Sequence, residues 1–239
     1  DGAITLDIAK VLAKLQNQTL PASSDAELSK ILSIPPDCED LNEYLRRFDL
    51  PISLLQTKES ISEAFYLVQE KLIAQNVIYA ELRFAPQSFM QRGLSQREVV
   101  EAALDGLSRS NLSSSIILCC MRGPRREKAN LETVQLAKEY LTTQDGITAL
   151  DLAGAEGLFA TSDYRELFAL ASKLDVPFTL HAGEAAGADS VRCSIEMGAR
   201  RIGHGVRAFE DDALLSLLKE NQIPLELCPT SNRQTKVVS

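Results

Sequence analysis

The order of elements along this sequence predicts an α/β protein of the (β/α)8 TIM-barrel class. Three observations carry the prediction. Six short apolar runs alternate with amphipathic helical stretches, a pattern that pairs strands in parallel through right-handed crossovers. Several of those runs end in ionisable or glycine residues, as the carboxyl ends of barrel strands do, instead of gathering them at one switch point. No G-x-G-x-x-G follows the first strand, which removes the doubly wound dinucleotide-binding alternative. Six strands are two short of a closed barrel.

The elements follow in order. Apolar residues three and four apart predict a helix from Ile4 to Leu15. Leu20-Pro-Ala-Ser-Ser-Asp25 breaks it, and Ser24 or Asp25 caps a second, short helix. Ile34-Pro-Pro-Asp-Cys38 reads as a loop. Leu41, Tyr44, Leu45 and Phe48 then recur at helical spacing behind Asp40, a good cap residue. Spacing alone makes them core, and an apolar lid over a pocket is the functional alternative. After Asp49-Leu-Pro51, a long helix spans Lys58 to Asn76 and delivers the first strand, Val77–Phe84, which Pro86 ends. Glu81 and Arg83 share a face of that strand and read as a structural ion pair. Ser95 and Glu98 make a capping-box pattern for the helix Gln96–Arg109.

The alternation then repeats. Strand Ser115–Met121 runs into the basic loop Arg122-Gly-Pro-Arg-Arg126, read as solvated. Helix Asn130–Leu141, strand Ile147–Leu152 and helix Asp163–Lys173 lead to strand Val176–His181. Helix Ser190–Met197, strand Arg201–His204, helix Asp211–Asn221 and strand Ile223–Leu227 complete the series. With no linker, repeat or low-complexity segment, residues 1–239 read as one domain.

Composition narrows the function. Hydrophobic residues make up 45% of the chain, enough for a sizeable core, and 24% are charged. A net charge of −8 excludes a basic nucleic-acid footprint, and no apolar run reaches the length of a membrane span. Neither nucleic acid nor membrane is therefore expected as a partner. Cys38, Cys119, Cys120, Cys193 and Cys228 are odd in number and form no C-x-x-C, which fits small core residues in a reducing cytoplasm. No pattern specifies an oligomeric state.

Chemistry concentrates at Val176-Pro-Phe-Thr-Leu-His-Ala-Gly-Glu184. Here an apolar strand ends in a histidine, two small residues and a carboxylate. Alternation puts Thr179 and His181 on one face and Phe178 and Leu180 on the other. An imidazole there can ligate a metal, and a carboxylate three residues on can handle protons beside it. A lone strand-end histidine is more often bonded in a turn. The chain has only two histidines, however, and the second, His204, closes Arg201-Ile-Gly-His-Gly-Val206 in the same way.

Five motifs then fall in a meaningful order: Asp1-Gly-Ala3, Asp151-Leu-Ala-Gly154, His181-Ala-Gly-Glu184, Ile202-Gly-His-Gly205 and Cys228-Pro-Thr-Ser-Asn232. Together they resemble the adenosine deaminases of the metal-dependent amidohydrolase superfamily, across essentially the whole chain. The resemblance implies a zinc-dependent barrel hydrolase of purine salvage that converts adenosine and 2′-deoxyadenosine to the inosines and ammonia. It implies His181 as a metal ligand, Glu184 as the acid that protonates purine N1, and His204 as the residue that orients and deprotonates the attacking water. Gly154 would offer its backbone N–H to purine N3, Asp1 would bond the ribose 5′-hydroxyl, and Leu41, Tyr44 and Leu45 fall where the family has an apolar lid helix.

The departures are as informative. The family's H-x-H precedes the Asp1-Gly-Ala3 match, and its paired aspartates follow the last motif. The chain as written is therefore expected to hold strands 2–7 of the barrel without strands 1 and 8. It would carry one of the zinc ligands and be inactive by itself. The Asp151–Gly154 motif continues as Ala155-Glu156, where many relatives carry Asp-Glu, so the resemblance is silent on the next side chain. An adenine or AMP deaminase of the same superfamily and a non-catalytic barrel fragment are the alternatives. The H-x-E and P-C-x-x-C signature of the cytidine-type zinc deaminases is absent.

Overall fold

The computed structural model describes residues 2–35, Cys38 and residues 40–237. By their contacts these residues form two compact units, one of Asp1–Asp37, Leu45–Ile117 and Thr142–Thr148 and one of Cys38–Tyr44, Leu118–Leu141 and Ala149–Ser239. Strands and helices alternate as the sequence predicts, with six strands among the described residues.

The first unit opens with helices α1 (Leu6–Leu15) and α2 (Asp25–Leu32), and Ser24 caps the second by accepting from Glu27 N–H. Helix α3 (Leu41–Leu45) follows in sequence, although its residues up to Tyr44 belong to the second unit, with Glu43 N–H on Asp40 Oδ1 at 2.9 Å, the expected cap. Over Asp49-Leu-Pro51, to which the sequence reading assigns no element, a short helix α4 (Asp49–Ser53) forms. Pro51 lies in its first turn, where an N–H would have no helical partner. Helix α5 (Lys58–Ala74) leads to strand β1 (Tyr79–Phe84). The capping box of Ser95 and Glu98 is formed at the start of helix α6 (Gln96–Ser108). Phe84 meets Phe65 edge-on at 5.0 Å and stacks on Phe89 at 5.6 Å, which gives this unit an aromatic centre. Phe65, Phe84 and Phe89 also border a cavity of about 290 Å³ together with Glu81 and Arg83.

Strands β2 (Ser113–Met121) and β3 (Ile147–Ala153) begin in the first unit and end in the second. The strand order is β1-β2-β3 in one sheet and β4-β5-β6 in the other. The rest of the second unit adds α7 (Glu127–Glu139), α8 (Arg165–Lys173), β4 (Thr179–Ala182), α9 (Ala188–Glu196), β5 (Arg201–His204), α10 (Asp212–Glu220), β6 (Leu225–Glu226) and α11 (Pro229–Gln234). β4, β5 and β6 pair in parallel, and a parallel bridge from Leu150 to Phe178 links β3 to the approach of β4. Leu118, Leu150, Leu152, Phe168, Leu180 and Ile202 are fully buried, and Phe168 packs on Phe178 at 4.9 Å.

Three strands, β1, β4 and β6, are shorter than the sequence predicts, the last two for one reason. Pro177 and Pro224 have no N–H to offer a ladder, and only their carbonyls take part, accepting from Leu150 and Ile202. Helix α7 starts three residues before Asn130. Helix α11 was not expected at all: it starts on Pro229, a proline at the first helical position, in a stretch without apolar periodicity. No described helix is long and apolar enough to cross a membrane.

Candidate active site

The second unit gathers its polar side chains at the carboxyl ends of β3, β4 and β5. His181 lies near the end of β4, and its Nδ1 is 2.8 Å from Oδ2 of Asp151, the fifth residue of β3. The other oxygen of Asp151 accepts from the backbone N–H of His181 at 3.2 Å and of Leu152 at 2.7 Å. A fully buried carboxylate so engaged holds both the strand end and the ring of His181.

Register alone would keep the two histidines apart. His181 is paired with Gly203 and Ala182 with His204, so a regular strand would aim His204 at the opposite face from His181. Instead His204 has φ +64°, a left-handed backbone that a non-glycine residue adopts at a cost of about 1–3 kcal/mol. The rings of His181 and His204 consequently come to 5.3 Å.

His204 is buried, with Nδ1 at 2.7 Å from Asn232 Oδ1 on α11 and Nε2 at 3.4 Å from Glu184 Oε2. With Asn232 Oδ1 as acceptor, Nδ1 carries the proton and Nε2 is the ring atom that can take one. Burial works against the charged ring. The hydrogen bond with Cys228, the Glu184 charge and the hydrogen bond with Asn232 outweigh it and raise the pKa above the ordinary histidine value.

Glu184 is itself 6% exposed and receives a 3.4 Å hydrogen bond from Ser231 Oγ. It is held on a turn whose Gly183 has φ +71°; a Cβ there would sit 2.6 Å from Val191. Tyr44 of α3 belongs to the same cluster: its hydroxyl hydrogen-bonds with Ser231, and burial, together with the Glu184 charge, raises its pKa. Leu41 on the same helix is buried, and Leu45 closes that helix and belongs to the first unit. Gly154 follows β3 directly with φ +108°, a conformation that favours glycine. Asp1 lies outside the described residues.

The loop Arg122-Gly-Pro-Arg-Arg126 is exposed at Pro124, Arg125 and Arg126, as expected of a solvated segment, but not at Arg122. Arg122 is buried, and its guanidinium donates to Phe159 O at 2.8 Å, Thr161 Oγ1 at 2.9 Å and His181 O at 2.8 Å. Asp151, Asn232 and Ser231 also contribute contacts that no spacing foretold, although each stood inside a quoted motif.

A catalytic zinc takes three protein ligands and an open position. His181 fits one of them, because a carboxylate behind Nδ1 fixes the tautomer that presents the Nε2 lone pair. Among the described residues, no three His, Cys, Asp or Glu side chains converge to hold an ion. These residues therefore fit one corner of a zinc site and not a whole one.

The profile of the adenosine deaminase family matches residues 1–239. An adenosine deaminase of Haemophilus ducreyi is 51% identical over 245 residues, which take in 100% of this chain and 71% of the relative. The crystal structure of an adenine deaminase from Arthrobacter aurescens superposes with a TM-score of 0.87 at 25% identity, covering 99% of this chain and 72% of that one. An Arabidopsis N6-mAMP deaminase superposes with a TM-score of 0.74 at 27% identity, covering 98% and 69%.

Proposed function

The chain belongs to the adenosine deaminase family, and on that premise we propose that residues 1–239 are one partial barrel domain of an enzyme of purine salvage in the cytoplasm. Its reaction is the hydrolysis of adenosine and 2′-deoxyadenosine to the inosines and ammonia. The observation that carries the reading is the convergence of Glu184, His204 and His181, with 3.4 Å between the first two and 5.3 Å between the imidazoles. Five free cysteines, four of them buried, agree with a reducing compartment.

In this reading water adds to purine C6, a proton goes to N1, and the exocyclic amino group leaves as ammonia. Zinc, when bound with His181 among its ligands, supplies a water acidified to a pKa of about 7. Glu184 delivers the proton to N1, which makes C6 more electrophilic; its carboxyl is buried, with Oε2 at 3.4 Å from His204 Nε2. His204, its Nδ1 committed to Asn232, uses Nε2 to orient the water and accept its proton. Gly154 offers its N–H to N3, Asp1 accepts from the 5′-hydroxyl, and Leu41, Tyr44 and Leu45 exclude solvent over the purine.

Adenosine should accordingly be preferred over adenine and AMP. Adenine leaves Asp1 without its partner, and the AMP phosphate sets like charges against each other in a partly desolvated site. Arg122 is buried and donates through both terminal nitrogens to Phe159, Thr161 and His181, so any capture of that phosphate by the Arg122–Arg126 loop falls to the exposed Arg125 and Arg126. The check is kcat/KM for the three substrates with the intact enzyme that contains these residues, repeated with Asp1→Ala. Adenosine should rank first, and the variant should lose most of the advantage over adenine. AMP or adenine turning over best would sink the nucleoside assignment.

A further inference from the structure

The turn that carries Glu184 is gripped by a side chain with no part in the chemistry above. Glu156 Oε1 accepts from Gly183 N–H at 2.8 Å and from Ser190 Oγ at 2.5 Å. Its Oε2 accepts from the backbone N–H groups of Glu184, Ala185 and Ala186 at 3.0, 2.7 and 3.0 Å. Four consecutive N–H groups aimed at one point make an anion-binding concavity. Here the anion is the chain's own carboxylate, 3% exposed and 27 or more residues away in sequence from the amides it binds. A charge that deep is tolerable because five donors solvate it and the Arg122 charge lies near enough for the two to interact.

The network extends to the other side of the turn. Ser190 Oγ is 2.7 Å from Thr161 Oγ1, and Arg122 binds both that threonine and the carbonyl of His181. Residues 181 and 183–186 are thus held by buried polar partners on both flanks. Closing a turn needs far fewer bonds than this. The surplus converges on the amides of Glu184 and its two successors, where a small rotation would swing the Glu184 carboxyl away from whatever it faces.

We propose that Glu156 is a positioning residue for the reaction, which aims the Glu184 carboxyl by binding the backbone of the 183–186 turn. The proposal rests on Glu184 being the proton donor.

Glu156→Gln tests it, because the side chain keeps its volume while one acceptor oxygen becomes an amide nitrogen that cannot receive an N–H. In the zinc-loaded intact enzyme it should lower kcat on adenosine by about 10²-fold, the scale of an ångström of misalignment. KM and metal content should stay within about twofold, as for an interaction realised only in the transition state. In a Glu184→Gln background the same change should cost no more than about twofold further, since two residues acting through one group are not additive. If Glu156→Gln does not fold, Ser190→Ala serves. It strips one donor from Oε1 and should lower kcat by about tenfold with KM unchanged. Full kcat per bound metal in the variant tested, or a loss that multiplies undiminished in the Glu184→Gln background, overturns the proposal while leaving Glu184 as the acid. Full activity of Glu184→Gln alone is a separate result, and it removes the acid assignment itself.

Discussion

Glu184→Gln in the intact enzyme should keep its metal and lose kcat/KM on adenosine by a factor of roughly 10² or more, the usual scale for a general acid–base group. The carboxamide is nearly isosteric, so the turn held by Glu156 and the contact with Ser231 have no steric reason to change. His204 Nε2 also keeps a polar neighbour at the same place. What disappears is a proton that can be passed to N1 and recovered. The measurement is the rate of ammonia release beside metal content per chain. Loss of metal to the same degree as in a ligand variant would make Glu184 a ligand and overturn its assignment as the acid.

His181→Ala should lose metal and activity together, because one of the few protein ligands is gone. Asp151→Asn should act on the same quantity more gently, lowering metal affinity by about 10–100-fold. The reason is the tautomer. The asparagine Oδ1 can still accept from His181 and Leu152, but its Nδ2 then faces His181 Nδ1 at the position of the present 2.8 Å contact. Two donors cannot face each other, so the ring proton moves to Nε2 and removes the lone pair a metal needs. Metal titration of both variants against the parent enzyme is the check. A His181→Ala protein with one tightly held metal would mean that other residues complete the site without it.

Much of the frame was legible because it rests on local physics. Ser24, Asp40 and the Ser95–Glu98 pair announce helix starts through hydrogen bonds made within three residues, and all three caps are formed. The apolar runs at Val77, Ser115, Ile147, Val176, Arg201 and Ile223 each contain a strand. The errors also have local causes, since Pro177 and Pro224 shorten their strands by lacking an N–H, and Pro229 starts a helix that has no apolar period to reveal it.

By itself the sequence determined the alternation of strands and helices and the family. It also singled out the three ionisable residues at strand ends, His181, Glu184 and His204, because motif order and period are properties of the chain alone. Only the tertiary structure decided how those residues are held. Asp151 reaches His181 across 30 positions, Asn232 reaches His204 across 28, and Glu156 binds amides at least 27 residues away, distances at which no periodicity carries information. The same holds for the left-handed backbone of His204, a strained conformation that no residue type announces. It persists where burial and the hydrogen bonds with Asn232 and Cys228 fix the imidazole, and those partners become neighbours only when the second unit folds.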